Sequence, residues 1–261
     1  MTQDEMNRLV PEKIRDMEEK YNINILWAIE SGSRAWGFAS PDSDFDIRFI
    51  YKRKLKDYLK LKPERDVIEL PIDETWDVSG WDLYKALKLL KNANPTLYEW
   101  MNSPIKYLNT ASSAKFRSQI ETLLTLYFSE KKALYHYLSM AKNNHIDHAL
   151  QMKAVKPKKY FYALRPVLAC LWVIEYHAPP PVLFADLIKT VLPENIKPYV
   201  EYLLELKIKG PEKMEIQPIQ EINLFLSDKI EEIKNYLPTA PDAVNSKWDD
   251  LNEFFYQEIY N

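Results

Sequence analysis

Ser31-Gly32-Ser33-Arg34-Ala35-Trp36-Gly37-Phe38, followed after Ala39 by Ser40-Pro41-Asp42-Ser43-Asp44-Phe45-Asp46-Ile47-Arg48, is the stretch whose reading decides the fold of this chain. Only four glycines occur in 261 residues, and Gly32 and Gly37 both fall here. A chain so sparing with glycine places it where the backbone turns tightly or approaches another group closely. Upstream, Ile23-Asn24-Ile25-Leu26-Trp27-Ala28-Ile29-Glu30 reads as a buried strand, and downstream Phe45 to Tyr51 reads as the next one. The order is strand, Gly-Ser turn, short connection, strand. Side chains alternate along a strand, so Asp44 and Asp46 point to one face. Carboxylates held side by side repel unless a cation lies between them, and a hard divalent ion such as Mg2+ is bound by one or two carboxylates together with substrate phosphates.

A Gly-Ser turn followed by Asp-x-Asp on a strand resembles the nucleotidyltransferase signature of the DNA polymerase beta superfamily. The wider string is similar to a narrower branch, the YcgL/RlaP-type nucleotidyltransferases of bacteria and phages. Its further features are Asp77-Val78-Ser79-Gly80-Trp81-Asp82, Asn94-Pro95 with Glu99-Trp100, Ser103-Pro104, and Lys158-Lys159-Tyr160-Phe161-Tyr162-Ala163-Leu164-Arg165-Pro166. The similarity covers most of the chain and thins after about Gly210. The resemblance implies transfer of a nucleoside monophosphate from an NTP, ATP being the expected one, to an acceptor hydroxyl, with release of pyrophosphate. It also implies two Mg2+ or Mn2+ ions about 4 Å apart, which stabilise the attacking and leaving oxygens together. Asp44 and Asp46 would hold both ions. Gly32 and Ser33 would offer backbone N–H groups and a hydroxyl to the phosphates, as glycine-rich nests do. Arg34 and Gly37 would let the chain close around a polyanion.

In the superfamily a third carboxylate comes from a later strand beside the Asp-x-Asp strand. Asp77 fits best, in the short apolar run Thr75-Trp76-Asp77-Val78. Glu69, the one acid within Val67-Ile68-Glu69-Leu70, is the competitor. Asp82 is better placed to cap the helix Leu83 to Lys91, where an acid suits the helix dipole.

A second cluster begins at Lys156-Pro157-Lys158-Lys159. On a helix Lys158, Tyr162 and Arg165 share one side, with Lys159 next to it. Cations at a helix N-terminus oppose the dipole unless an anion joins them. The cluster is therefore read as meeting the triphosphate, with Tyr162 stacking on the base or the acceptor. The expected acceptor is RNA, a tRNA-like end, by the family's association with RNA repair. An acceptor of protein or small-molecule kind, and a catalytically silent binding module, are the alternatives.

Net charge is −3, so any RNA contact has to come from a local basic surface. Candidates are Lys85, Lys88 and Lys91 on one helix face, and Lys131, Lys132, Lys142, Lys153, Lys156, Lys158 and Lys159 among tyrosines 135, 137, 160 and 162. His145 and His148 lack a third ligand nearby, which argues against a transition-metal site. A single cysteine, Cys170, excludes an internal disulfide and reads as a buried apolar residue. The acidic, polar first residues are unlike a signal peptide, and no apolar run approaches the ~20 residues that span a bilayer. A cytoplasmic protein without membrane partners is expected; oligomeric state is left open.

The expected architecture is an α/β nucleotidyltransferase domain over 1–110, a small mixed sheet with helices, followed by an all-α domain over 111–261. Helices are expected at 5–21, 54–60, 81–93, 118–142, 158–177, 184–192, 196–207, 219–236 and 244–260. Strands are expected near 23–30, 45–51, 66–70 and 75–79. In the superfamily the active site commonly lies in the cleft between two such parts.

Overall fold

The computed structural model describes residues 2–40, 42–71, 76–144, 154–209, 214–242 and 247–260. Its apolar runs form β1 (Asn24–Glu30), β2 (Phe45–Lys52), β3 (Val67–Glu69) and β4 (Trp76–Asp82). They make one sheet in the order β1-β2-β4-β3. β2 runs antiparallel to β1 and parallel to β4, and β3 is antiparallel to β4, so the sheet is mixed as expected. β4 extends to Asp82, beyond the strand read from sequence. The helix expected from 81 therefore starts at Leu83, where Asp82 accepts the Tyr84 N–H and caps it.

In chain order the helices are α1 (Gln3–Tyr21), α2 (Gly32–Ala35), α3 (Leu55–Tyr58), α4 (Leu83–Lys91), α5 (Pro95–Met101), α6 (Ala111–Tyr127), α7 (Glu130–Asn144), α8 (Pro157–Tyr176), α9 (Phe184–Val191), α10 (Lys197–Lys209), α11 (Gln220–Tyr236) and α12 (Asp249–Tyr260). Local chemistry sets several of their ends. Thr2 and Glu5 form a reciprocal capping box on α1. Asn94 caps α5, with Pro95 at its first position. The single helix expected over 118–142 is two helices. Ser129 interrupts it: its hydroxyl donates to Asp242 at 2.9 Å and accepts the Lys132 N–H at 3.2 Å, starting α7 afresh. Among the described residues no helix is long and apolar enough to cross a membrane.

The chain forms two compact units, both discontinuous in sequence. The first comprises Met1–Gly32, Asp44–Tyr127 and Val244–Asn261; the second comprises Ser33–Ser43 and Phe128–Ala243. The division read at 110/111 thus differs from the packing. In the first unit α6 lies on β1, and α12 lies on α4 and α6. Met6, Val10, Ile14 and Met17 of α1 share a core with Phe45, Ile47, Phe49 and Tyr51 of β2. Gly80 of β4 leaves room for the Phe49 ring, and Trp81 stacks on Trp100 with centroids 3.6 Å apart. In the second unit α8 is the central helix, burying Phe161, Leu164, Val167 and Leu168 among residues of α7, α9, α10 and α11. Cys170 is fully buried there, and burial pushes its thiol pKa upward. Phe38 belongs to this core, stacked on Phe161 at 4.8 Å, which is why the 33–43 segment counts with the helical unit.

Candidate active site

In the first unit the site grows from strand register. Parallel pairing of β2 with β4 sets Asp46 directly beside Asp77. Arg48, two residues beyond Asp46 and on the same face, spans the pair. Its Nη2 donates to Asp46 Oδ1 at 2.9 Å and to Asp77 Oδ2 at 2.6 Å. Its Nη1 donates to the carbonyls of Asp77 at 2.8 Å and Ile47 at 3.1 Å. Asp44 is exposed just ahead of β2. Burial raises the Asp46 carboxyl above the usual carboxylate range; Arg48 pulls it back, and Asp77 and Asp44 push it up again. Negative charge from three acids is thus concentrated around one side chain.

Backbone contacts fix Asp46. Its N–H donates to Glu30 Oε1 at 2.7 Å, and its carbonyl accepts the Ser31 N–H at 2.8 Å. Glu30 is fully buried at the end of β1, where its other oxygen accepts the Tyr107 hydroxyl and its carbonyl accepts Ser103 Oγ at 2.6 Å. The turn that follows β1 passes close by. Gly32 has φ +60°, and a Cβ at this position would overlap Asp46 Oδ2. The first glycine of the opening stretch is therefore required twice, by conformation and by space. Glu69 of β3, the alternative third acid, pairs with Ser79 of β4, and its half-exposed side chain is bound to Arg65. Register favours Asp77.

The donor set suits a hard cation. Mg2+ is satisfied by one or two carboxylates, with waters and phosphates completing its shell. Asp46 and Asp77 already hold a positive group between them in Arg48. Among the described residues no three histidine, cysteine or acidic side chains are gathered into a metal cage. His145, His148 and Lys153 lie outside the described residues, as does Thr75 of the run that suggested Asp77.

In the second unit, Ser33 and Arg34 open a short, internally bonded loop. The Phe38 N–H donates to the Ser33 carbonyl at 3.1 Å, and Arg34 Nη2 donates to the Ser43 carbonyl at 2.6 Å. Ser40 is buried and accepts Lys207 Nζ at 2.8 Å. Trp36 packs between three partners: Phe38 at 5.7 Å, the Tyr162 ring edge-on at 6.2 Å, and the Arg165 guanidinium 4.4 Å from its ring. On α8, Lys158 is half-buried, Lys159 and Tyr162 are exposed, and Arg165 is 1% exposed. Helical periodicity put Lys158, Tyr162 and Arg165 on one side of α8. Of the three, Arg165 is the buried one, its guanidinium packed on Trp36.

The α4 lysines are engaged at the surface of the first unit. Lys85 faces Asp66 at 3.6 Å, Lys88 lies over Tyr84 at 4.1 Å, and Lys91 lies over Trp248 at 5.2 Å. Arg48 and Glu30, which bond to Asp46, were not among the expected site residues. Only Arg48 left a signal, a cation at the same-face position next to Asp46.

A curated relative, the uncharacterized protein YcgL of Bacillus subtilis (strain 168), is 42% identical over 229 residues, covering 87% of this chain and 86% of its own. The crystal structure of a nucleotidyltransferase-like protein from Exiguobacterium sibiricum 255-15 aligns over 94% of this chain and 79% of its own, at 14% identity and a TM-score of 0.30. The family described as the RNA repair pathway DNA polymerase beta family, RlaP, matches residues 6–257. On a match that runs nearly end to end, the chain belongs to the RlaP family.

Proposed function

We propose that this protein moves a nucleoside monophosphate from an NTP, ATP first, to a hydroxyl at an RNA end. Family membership supports nucleotidyl transfer as the reaction class. The observation that supports this site for it is the Asp46–Asp77 register on parallel strands, with Gly32 turning against Asp46. In the reaction the acceptor oxygen bonds to the α-phosphorus while the bond from that phosphorus to the bridging oxygen of pyrophosphate breaks. A divalent ion, when bound, supplies positive charge to the developing oxyanions.

The chain's own residues do the rest. Asp44, Asp46 and Asp77 are the metal-holding acids of this reading. Glu30 holds the Asp46 backbone in place. Gly32, Ser33 and Arg34 meet the phosphates, with Lys158 and Lys159 adding charge. Tyr162 offers a stacking face to a base, and Arg165, whose guanidinium packs on Trp36, adds its charge to the nucleotide-binding group. The RNA acceptor rests on the family description and on surface lysines with exposed Tyr135 and Tyr162, since unstructured RNA ends are held by charge and aromatic stacking; Tyr137 and Tyr160, also expected there, are buried in the core.

The test is incubation with each labelled NTP, Mg2+ or Mn2+, and total cell RNA. Label is expected in RNA, from one NTP, and lost in Asp46→Asn. RNA binding should weaken steeply as salt is added. Label appearing on protein or a small molecule while RNA stays blank would retire the RNA acceptor.

A further inference from the structure

Arg48 spans the two acids that, in the reading above, would hold a metal ion. One of its nitrogens is shared between Asp46 Oδ1 and Asp77 Oδ2, and the other is anchored by two backbone carbonyls. Only 16% of its side chain is exposed, whereas Asp46 and Asp77 expose 29% and 36% of theirs. The carboxylates remain open to an ion while the guanidinium is held against the sheet. An arginine keeps its charge at any physiological pH, so this positive group cannot be switched off by losing a proton.

We propose that Arg48 is the resident counter-cation of the Asp46–Asp77 pair, holding the two acids together until a divalent ion takes its place between them. The inference rests on the metal reading above. Without a cation, two like charges fixed on adjacent strands would drive each other apart. Arg48 removes that repulsion, and in doing so it competes with the incoming ion. Nη1 and Nη2 belong to one rigid guanidinium plane, so exchange requires the whole group to swing on its side-chain torsions, releasing the Nη2 contacts to the carboxylates and the Nη1 contacts to the carbonyls together. Arg48 is a positioning residue, and it makes the free protein a weaker metal binder than its acids alone would be.

The experiment measures Mn2+ binding to the intact chain by titration calorimetry and by the electron-spin signal of free Mn2+. Arg48→Gln removes the competing charge, and Arg48→Lys keeps it without the fork. An arginine beside a carboxylate shifts proton affinity by one to three pKa units, so Arg48→Gln should bind Mn2+ roughly tenfold more tightly than wild type, with Arg48→Lys close to wild type. Equal or weaker Mn2+ binding by a folded Arg48→Gln protein overturns the proposal. Urea unfolding in EDTA supplies the metal-free arm. Arg48→Gln should lose stability, and Arg48→Gln with Asp77→Asn should regain it, because a single carboxylate no longer needs bridging. Loss of the same size with Asp77 or Asn at that position overturns the counter-cation role. If no form binds Mn2+, the metal reading of the site fails, and the unfolding cycle alone decides whether Arg48 bridges the pair.

Discussion

Gly32 and Asp46 shape each other, and single substitutions should separate their roles. Gly32→Ala forces a side chain into φ +60° and against Asp46 Oδ2. The backbone conformation alone costs roughly 1–2 kcal/mol, and the overlap displaces the carboxylate. The expected result is a folded protein, less stable in urea, with label transfer lost. Asp46→Asn keeps an oxygen to accept from Arg48 but removes a charge from the acid group. Label transfer should fall by roughly 10²–10³-fold, the scale of losing transition-state charge stabilisation, while circular dichroism stays that of the wild type. Near-normal transfer by that variant would remove Asp46 from the metal-holding acids.

Asp82 joins two elements, ending β4 and capping α4, and its environment gives a pH test. Burial raises its carboxyl above the usual range, with the Tyr84 N–H, the Tyr58 hydroxyl and Arg53 pulling it back and Asp66 raising it further. A raised pKa means that the folded state binds the proton more readily than the unfolded chain, so this group's contribution falls as pH climbs from about 4 through its folded value. Asp82→Asn retains the cap oxygen without the charge. It should be at least as stable as wild type at pH 7, and the difference should shrink and vanish as pH is lowered to about 4. Asp82→Ala loses the cap at both pH values, a cost of about 1 kcal/mol. Urea midpoints at the two pH values check both expectations. A stabilising effect of Asp82→Asn that grows toward pH 4 would contradict them.

At the scale of the whole molecule, the discontinuous units predict how the chain tolerates being cut. A 1–110 fragment lacks α6 and α12, whose Phe116, Ile120, Leu124, Leu251 and Phe254 are buried in the intact chain. It should aggregate, whereas a chain ending before 111 and supplied with the 111–127 and 247–260 segments by fusion should stay monomeric in size-exclusion chromatography. A 128–242 fragment should likewise melt at lower temperature than the same fragment fused to 33–43, because Trp36 and Phe38 fill its core. Much of this was legible in the sequence, and the reasons are local. The strand–turn–strand order and the proline and asparagine stops depend on residues a few positions apart. What escaped depended on neighbours distant in sequence. Arg48 acquires meaning only once β4 lies beside β2, and Glu30 only once its carboxylate meets the Asp46 N–H. A helical repeat reports which residues share a side of α8, and not that the Arg165 guanidinium lies on Trp36. The halt at Ser129 carries no proline or glycine; a serine hydroxyl capping the Lys132 N–H sets it, held in turn by Asp242 far along the chain.

The parallel register of Asp46 with Asp77 also acts as a ruler. The spacing of the two carboxylates is written in whole residues counted from the pairing, and a strand cannot be lengthened by a fraction. The connection at 53–65 can therefore gain or lose residues without disturbing the count, because it lies outside the graduations. One residue inserted between Asp44 and Arg48, or between Trp76 and Ser79, turns every later side chain to the opposite face. Length variation in this protein should be free between the strands and forbidden within them.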